Sequence, residues 1–383
     1  MKTEKLLIAL PEGCREIMER IRLAGGESYA VGGAVRDALL GRPAGDFDVT
    51  TSFLPEEIMA LFQDKKLIPT GKNFGTVGVE AEGDIFEVTT FRKDGNYSDF
   101  RRPDQVTFSK DIKEDLARRD FTVNAMAWSE ETGLIAPFGG RNDLENRVLR
   151  AVGDPEKRFS EDALRIMRLL RFASQLGFVI DPGTGEAARS SKALLNAVSG
   201  ERLSVELEKL LKGPSAMKVI GEYKEVLESF LGEITLPRKL TGAYHTDLAF
   251  LFEKQDEKAL KAALERLKVS KKTRELALFV RENLAYPVPT DRIGLRLLLK
   301  AAGEEKARTL LSALAPEKLS ELEDVIQNDV WSYKSLAVRG NDLGTEGEKT
   351  GEALDYLLDA CIRERVKNDR ESLIAYLKKG KRL

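Results

Sequence analysis

The chain has 383 residues, 63 acidic against 61 basic side chains, and a net charge of −2, with 42% hydrophobic and 32% charged residues. That length accommodates roughly two to four domains, and the near-neutral balance excludes a chain that grips nucleic acid through a global positive field, so such a partner needs local basic patches. Cys14 and Cys361 are too few and too far apart for a disulfide framework or a zinc cluster, which fits a reducing cytoplasm; the single histidine, His245, excludes His-rich metal sites and obliges any catalytic dyad to use another base.

In chain order, the opening MKTEKLLIALPEG is too short and too charged for a signal peptide, and no later run approaches the roughly 20 apolar residues of a membrane span. Helical spacing marks 11–24. A short apolar strand, Tyr29–Val31, then meets Gly32–Gly33, where the backbone can turn tightly and admit a close neighbour. A helix over 34–40 carries Arg36, and a loop delivers Asp46 and Asp48 on either side of Phe47 as a strand over Phe47–Thr50 begins. Side chains alternate in extended chain, so both carboxylates share a face. Two carboxylates that close repel unless a cation lies between them, which points to Mg²⁺ and phosphate chemistry, one ion activating a hydroxyl and one stabilising a leaving oxygen. A lone DxD is commonly a pair of solvated turn acids; GG, Arg36 and DxD in one strand–helix–strand unit are far more specific. Gly33 with Arg36 sets backbone N–H groups and a guanidinium against a triphosphate.

A helix at 55–62 precedes strands at Thr76–Glu80 and Ile85–Phe91, joined by the AEGD turn at 81–84 as a hairpin. Glu87 is the candidate third carboxylate of the metal site; an outward strand acid, or one bridging to Arg92, explains it equally well. Arg118–Arg119–Asp120 stands directly before an expected strand at Val123–Trp128, and alternation turns one of the two arginines toward the active surface. The plainer reading is a solvated strand entry.

The run RFSEDALRIMRLLRFA predicts a helix over 160–177, capped by Ser160, with Glu161 and Asp162 in its first turn. Arg165, Arg168 and Arg171 recur every three residues opposite an apolar stripe of Ile166, Leu169, Leu170 and Ala173. A solvated polar face with an Asp162–Arg165 surface pair would explain the pattern. Alternatively, Asp162 acceptors and Arg165 donors face one space and read the edges of cytosine and adenine, with Arg168 and Arg171 on phosphate. Strand signals end near residue 150. Helical patterns follow at 201–212, 214–230, 257–267, 272–283, 289–301, 304–313, 316–327, 350–366 and 370–379, broken at Gly213–Pro214, Pro237, Pro287–Pro289 and Gly340. The fold class is α+β, a mixed-sheet head followed by an all-helical remainder.

GGAVRDALLG with DFD, RRDFTVNAMAW, EDALRIMRLLRF and SGERLSVELEKLL together resemble the class II tRNA nucleotidyltransferases, the bacterial CCA-adding enzymes and their poly(A) polymerase relatives in the polymerase-β-like superfamily. FRKDGNYSDFRRPDQVTF at 91–108 is similar to the family's mobile loop, and VRGNDLGTEGEKTGEAL to its C-terminal stretch. The resemblance implies a catalytic nucleotidyltransferase head over 1–150, a nucleotide-selecting neck over 151–213, and tRNA-binding body and tail over 214–325 and 326–383. It puts Mg²⁺ on Asp46 and Asp48, and the nucleotide on Gly33, Arg36, Arg119, Asp162, Arg165, Arg168 and Arg171. Glu201, Arg202 and Glu206 brace the neck helix. Ala136 departs from the aspartate frequent before Pro-Phe-Gly-Gly, while Asp143 is kept, and one histidine cannot build the phosphohydrolase domain some relatives carry. The implied activity is template-independent addition of CCA to tRNA from CTP and ATP with release of pyrophosphate. Lys209, Lys212, Lys271, Lys272 and the Lys378–Arg382 cluster are candidate tRNA contacts, each also explicable as a solvated surface charge. A poly(A) polymerase, an enzyme adding only CC or only A, and a non-catalytic RNA-binding protein remain as rivals.

Overall fold

The computed structural model describes residues 8–95 and 105–380. The chain forms two compact units, Met1–Gly232 with Arg266–Lys268, and Glu233–Glu265 with Val269–Leu383. Among the described residues no helix is long and apolar enough to cross a membrane.

The first unit opens with helix α1 (Glu12–Leu23) and strand β1 (Ser28–Val31). All four β1 residues are buried, as expected of a central strand covered on both faces. On one face Ser28 Oγ donates to the Met18 carbonyl of α1. On the other, Tyr29 stacks on Phe91 with ring centroids 6.1 Å apart, in a cluster with Val31, Leu116 and Ala127. Helix α2 (Gly33–Leu39), strand β2 (Asp48–Thr51) and helix α3 (Pro55–Leu61) follow, then strands β3 (Leu67–Gly71), β4 (Thr76–Ala81) and β5 (Asp84–Thr90). The expected hairpin is present: Ala81 pairs with Asp84 across Glu82 and Gly83, whose φ values of +53° and +86° suit the right-handed twist of the flanking strands. Strands β6 (Arg92–Asp94) and β7 (Val106–Phe108) pair antiparallel, so the described ends of the 91–108 segment form a ribbon; residues 96–104 lie outside the described residues.

Helix α4 (Ile112–Ala117) precedes strands β8 (Ala127–Ser129) and β9 (Gly133–Ile135), which complete a seven-stranded mixed sheet of order β3-β4-β5-β2-β1-β8-β9. The strand expected over Val123–Trp128 is a correction. Thr122–Asn124 is a 3₁₀ turn and only Ala127–Ser129 pairs as a strand. Polar side chains win locally, because Thr122 Oγ1 donates to Asp143 at 2.7 Å and the Asn124 amide donates to Asp120 at 3.0 Å. Helix α5 (Gly140–Glu145) seats against this turn through Gly140, where a Cβ would stand 2.1 Å from the Thr122 carbonyl. Asp143 also receives Arg150 at 3.2 Å, so the retained aspartate is tied without help from position 136.

The remainder is almost wholly helical. Helices α6 (Pro155–Glu161), α7 (Leu164–Leu176), α8 (Pro182–Ser190) and α9 (Gly200–Leu211) are followed in this unit by Ala216–Glu222 and Lys224–Leu231. In the second unit, helices Arg292–Ala302, Glu304–Leu314 and Leu319–Asn328 share a core of Leu295, Leu299, Leu311 and Val325. Helices Glu348–Ile362 and Arg370–Lys379 enclose another around Leu357, Ile362 and Leu373. Arg296 joins the two, donating to Asp329 and, at 3.0 Å, to the Ile362 carbonyl.

Candidate active site

Strand register assembles the site. In the antiparallel pairing of β1 with β2, Val31 lies opposite Asp48, so Gly32–Gly33 emerges beside the DFD segment. Val31 also pairs with Ala127 of β8, and Gly32 N donates to the Met126 carbonyl at 3.2 Å, which brings Asn124 to the same edge. Phe47 is buried, and Asp46 and Asp48 flank it in exposed positions. The parallel pairing Val49↔Val88 places Glu87 next to Asp48 on one sheet face. The Asp48 carboxyl is pushed up from its ordinary range by loss of water and by Glu87 and Asp46, with Arg119 opposing. Among the described residues no group of three His, Cys, Asp or Glu side chains is arranged to hold a metal ion, and Glu87 acts on Asp48 through its charge. Arg92 pairs with Asp94 at 3.1 Å, so the bridge considered for Glu87 is served by another carboxylate.

Asp48 also lines a cavity of about 420 Å³ that holds seven arginines (36, 118, 119, 165, 168, 171 and 202) against the aspartates 48, 120 and 162. That surplus of cations, in a space of the size ligands occupy, is a polyanion site. The arginines expected at 119, 165, 168 and 171 do converge with Gly33, Arg36 and Asp162. Asp46 and Glu87 line a separate, acidic cavity of about 600 Å³, and Asp48 belongs to both.

The arginines are held by a relay the motifs alone do not reveal. Arg36, itself buried, donates through Nε and Nη2 to Asp37 and through Nη1 to Asn124 Oδ1 at 2.6 Å. Asn124 Nδ2 donates to Asp120 Oδ1, and Asp120 Oδ2 receives Arg168 Nε and Nη2 at 2.9 and 2.6 Å. A side-chain amide accepts from a guanidinium through its oxygen and donates to a carboxylate through its nitrogen at once. Phe172 lies beneath, with the guanidinium carbons of Arg171, Arg36 and Arg168 at 4.0, 5.0 and 5.4 Å from its ring centroid. Asn124 and Phe172 therefore line the site although sequence reasoning missed them, and Asp120, singled out only as part of the Arg-Arg-Asp run, gains a role of its own. A faint signal for Asn124 existed, a polar residue in an otherwise apolar run.

Arg118 and Arg119 do not alternate as in a strand. Arg118 ends α4, and both turn back to the fully buried Asp115, at 2.7 and 3.2 Å. Burial works to raise the Asp115 pKa, but the two guanidiniums outweigh it and hold it below the carboxylate range. Arg119, which lines the cavity, keeps a buried Nε without a hydrogen-bond partner.

The single helix expected over 160–177 is a second correction. It is broken at Asp162, whose φ of −139° and ψ of 101° are extended. Asp154 caps α6 ahead of Pro155, whereas Ser160 sits in its last turn with Oγ on the Lys157 carbonyl. Asp162 starts α7 by accepting from Leu164 N at 3.1 Å. The break frees carbonyls at the end of α6, and Arg165 Nη1 takes that of Arg158 at 3.0 Å together with Glu161 at 2.8 Å. Arg165 Nη2 takes the Arg118 carbonyl. No Asp162–Arg165 surface pair forms; Asp162 is held by Arg202 of α9 at 3.2 Å, and Arg171 is ion-paired with Glu206 at 2.8 Å without hydrogen-bond alignment. Arg202 and Glu206 thus tie α9 to Asp162 and to Arg171 of α7, while Arg202 also lines the cavity. Glu201 pairs with Lys268 at 2.9 Å.

The family model described as the Poly A polymerase head domain matches residues 28–150, and one described as the "Probable RNA and SrmB- binding site of polymerase A" matches 177–225. A CCA-adding enzyme of Geobacillus stearothermophilus is 38% identical over 388 residues, covering 94% of this chain and 95% of the relative. The chain belongs to the CCA-adding enzyme family. A CCA-adding enzyme of Lactiplantibacillus plantarum is 36% identical over 97% of both chains. The crystal structure of a Bacillus stearothermophilus CCA-adding enzyme in complex with CTP matches with a TM-score of 0.78 at 34% identity, over 97% of both chains. The mixed-sheet head and helical remainder are those of the family, and the chain is a nucleotidyltransferase. Divalent-metal use comes with that membership, and the residues present fit it: Asp46 and Asp48 offer carboxylate oxygens, and at Asp48 the charges of Glu87 and Asp46 add to the negative field, as suits a hard cation.

Gly32 gives a direct test of the cradle. Its φ of +76° and ψ of −135° lie in a region only glycine occupies at ease, and a Cβ there would stand 3.1 Å from Arg119 Nη1. Gly32→Ala is expected to cost about 1–3 kcal/mol of stability. It should also raise the KM for both nucleotides several-fold, read from urea unfolding and steady-state kinetics; wild-type values in both would refute the cradle.

Proposed function

We propose that this chain completes the 3′-CCA end of tRNA from CTP and ATP, with Asp46 and Asp48 as ligands of Mg²⁺. The reading is carried by one observation: Asp48 stands at the boundary between an acidic cavity and an arginine-lined one. The 3′-hydroxyl of the RNA loses its proton and attacks the α-phosphorus, a P–O bond forms, the Pα–O–Pβ bond breaks, and pyrophosphate leaves. Two Mg²⁺ ions held by Asp46 and Asp48 would supply acidification of the hydroxyl and charge stabilisation at the leaving oxygen. Gly33, Arg36 and Arg119 hold the triphosphate and sugar; the Asn124–Asp120–Arg168 relay keeps Arg36 in place and Asp115 keeps Arg119 in place before substrate arrives, so little reorganisation is needed during reaction. Glu87 adds negative potential beside Asp48.

For base selection, Arg165 spends three of its five N–H donors on Arg158, Glu161 and Arg118, leaving Nε–H and one Nη2–H for a base. Asp162 keeps acceptor capacity beyond its bonds to Leu164 N and Arg202. Together they can meet the donor and acceptor edges of cytosine and adenine. Arg168 and Arg171 add positive potential for phosphate. We place the neck over 151–213 and the tRNA-binding body and tail over 214–325 and 326–383, and a tRNA substrate places the work in the cytoplasm. Of the proposed tRNA contacts, Lys209 and Lys378 are exposed, while Lys212, Lys271 and Lys272 each have a carboxylate neighbour; Lys381 and Arg382 lie outside the described residues.

The test is Mg²⁺-dependent incorporation of labelled CTP and ATP into tRNAs ending at the discriminator base, at C and at CC. Extension of all three to CCA is expected. Use of ATP alone on the CC-ended tRNA, or addition of long A tails, would overturn the assignment.

A further inference from the structure

A second cavity of about 400 Å³ opens on the far side of Arg118 from the nucleotide site, between β6, α4 and α6. Arg118 is the one residue lining both cavities. Each carboxylate lining the second cavity is already engaged. Asp94 pairs with Arg92, and Asp111 caps α4 by accepting from Lys113 N at 2.8 Å. Glu114 accepts from Ser109 at 2.6 Å, and Glu161 is shared by Arg158 and Arg165. By contrast Lys113 and Lys157 have no carboxylate partner for their ammonium groups among the described residues, and both line the space together with Ala117 and the half-buried Phe138. Two uncommitted cations next to an aromatic wall suit a phosphate joined to a planar, largely apolar group.

We propose that this cavity binds a second phosphorylated nucleoside, its phosphate on Lys113 and Lys157 and its base against Phe138. Occupation bears on the base-reading residue, because the backbone carbonyls of Arg118 and Arg158, both wall residues, hold the Arg165 guanidinium. The nucleoside phosphate can come from a free nucleotide or from the RNA chain, and two measurements separate these sources.

The first is equilibrium dialysis of the full chain with α,β-methylene-ATP, in which the bond to be broken is blocked. Wild type is expected to bind two molecules per chain, and Lys113→Ala/Lys157→Ala one, with the lost site weakened at least about tenfold. The second is filter binding of CC-ended tRNA to both proteins. One analogue per chain in both, with tRNA affinity falling about tenfold in the double variant, assigns the site to an RNA nucleotide. One analogue in both with equal tRNA affinity, or two in both, overturns the proposal. CCA extension by the same preparations tells that failure from a failure of the function itself, since neither lysine lines the nucleotide cavity.

Discussion

Replacing Asp48 with asparagine is expected to slow nucleotide addition by about three orders of magnitude or more, without loss of fold. Asparagine keeps the shape and one acceptor oxygen but removes the charge proposed to draw a divalent cation to Asp48, which lines both cavities. Stability should hold or rise slightly, because the native carboxylate is opposed by Glu87, Asp46 and loss of water, and that opposition vanishes with the charge. The measurement is single-turnover extension of CC-ended tRNA with ATP, beside a thermal melt. A rate within tenfold of wild type would show that catalysis does not depend on this carboxylate. Asp46→Asn should act in the same direction.

Asp120→Asn tests the opposite kind of residue, one that reaches substrate only through others. Its carboxylate is buried and takes four donors: Arg168 Nε and Nη2, Asn124 Nδ2 and Phe121 N. Asparagine must turn an N–H toward one of these donors and leaves Arg168 uncompensated beside Arg36 and Arg171 on one ring. Breaking a fully buried pair costs about 3–5 kcal/mol, and because the Arg168 side chain is 34% exposed a smaller loss, about 1–3 kcal/mol, is expected here. Burial works to raise the Asp120 pKa, but Arg168, Asn124 and Arg165 outweigh it and bring it to about 2. A lowered carboxylate pKa contributes stability that is complete above the unfolded value near 3.8 and disappears as pH falls toward 2. Wild type should therefore lose about 2 kcal/mol over that window that the variant does not lose, read as converging urea midpoints. Parallel midpoints would show that Asp120 is not the group titrating. At neutral pH the variant should also raise the KM for CTP and ATP, because Asn124 and hence Arg36 lose their anchor.

Much of this architecture was legible before any coordinates. The hairpin at 81–84 follows from its turn residues, and the later helices from apolar spacing, because both signals are local. The failures occurred where polar side chains compete with the backbone. Thr122 and Asn124 find partners far away in sequence and turn an expected strand into a 3₁₀ segment. Asp162 interrupts a helix whose apolar stripe runs on past it, and no glycine or proline marks the break. An Asp-Pro pair at 154–155 did announce the true helix start, ahead of the serine that looked like a cap.

The sequence by itself determined which groups can do the chemistry: paired aspartates, a glycine turn and a set of arginines, since charge and flexibility belong to residue type. Only the tertiary structure decided how they act together. The Val31↔Asp48 register brings GG to DFD, and pairing of Arg165 with Glu161, Asp162 with Arg202 and Arg168 with Asp120 sets what each has left to offer. Those choices are long-range. A guanidinium has five donors and many carboxylates to choose from, and only the packed chain determines which of them come within reach.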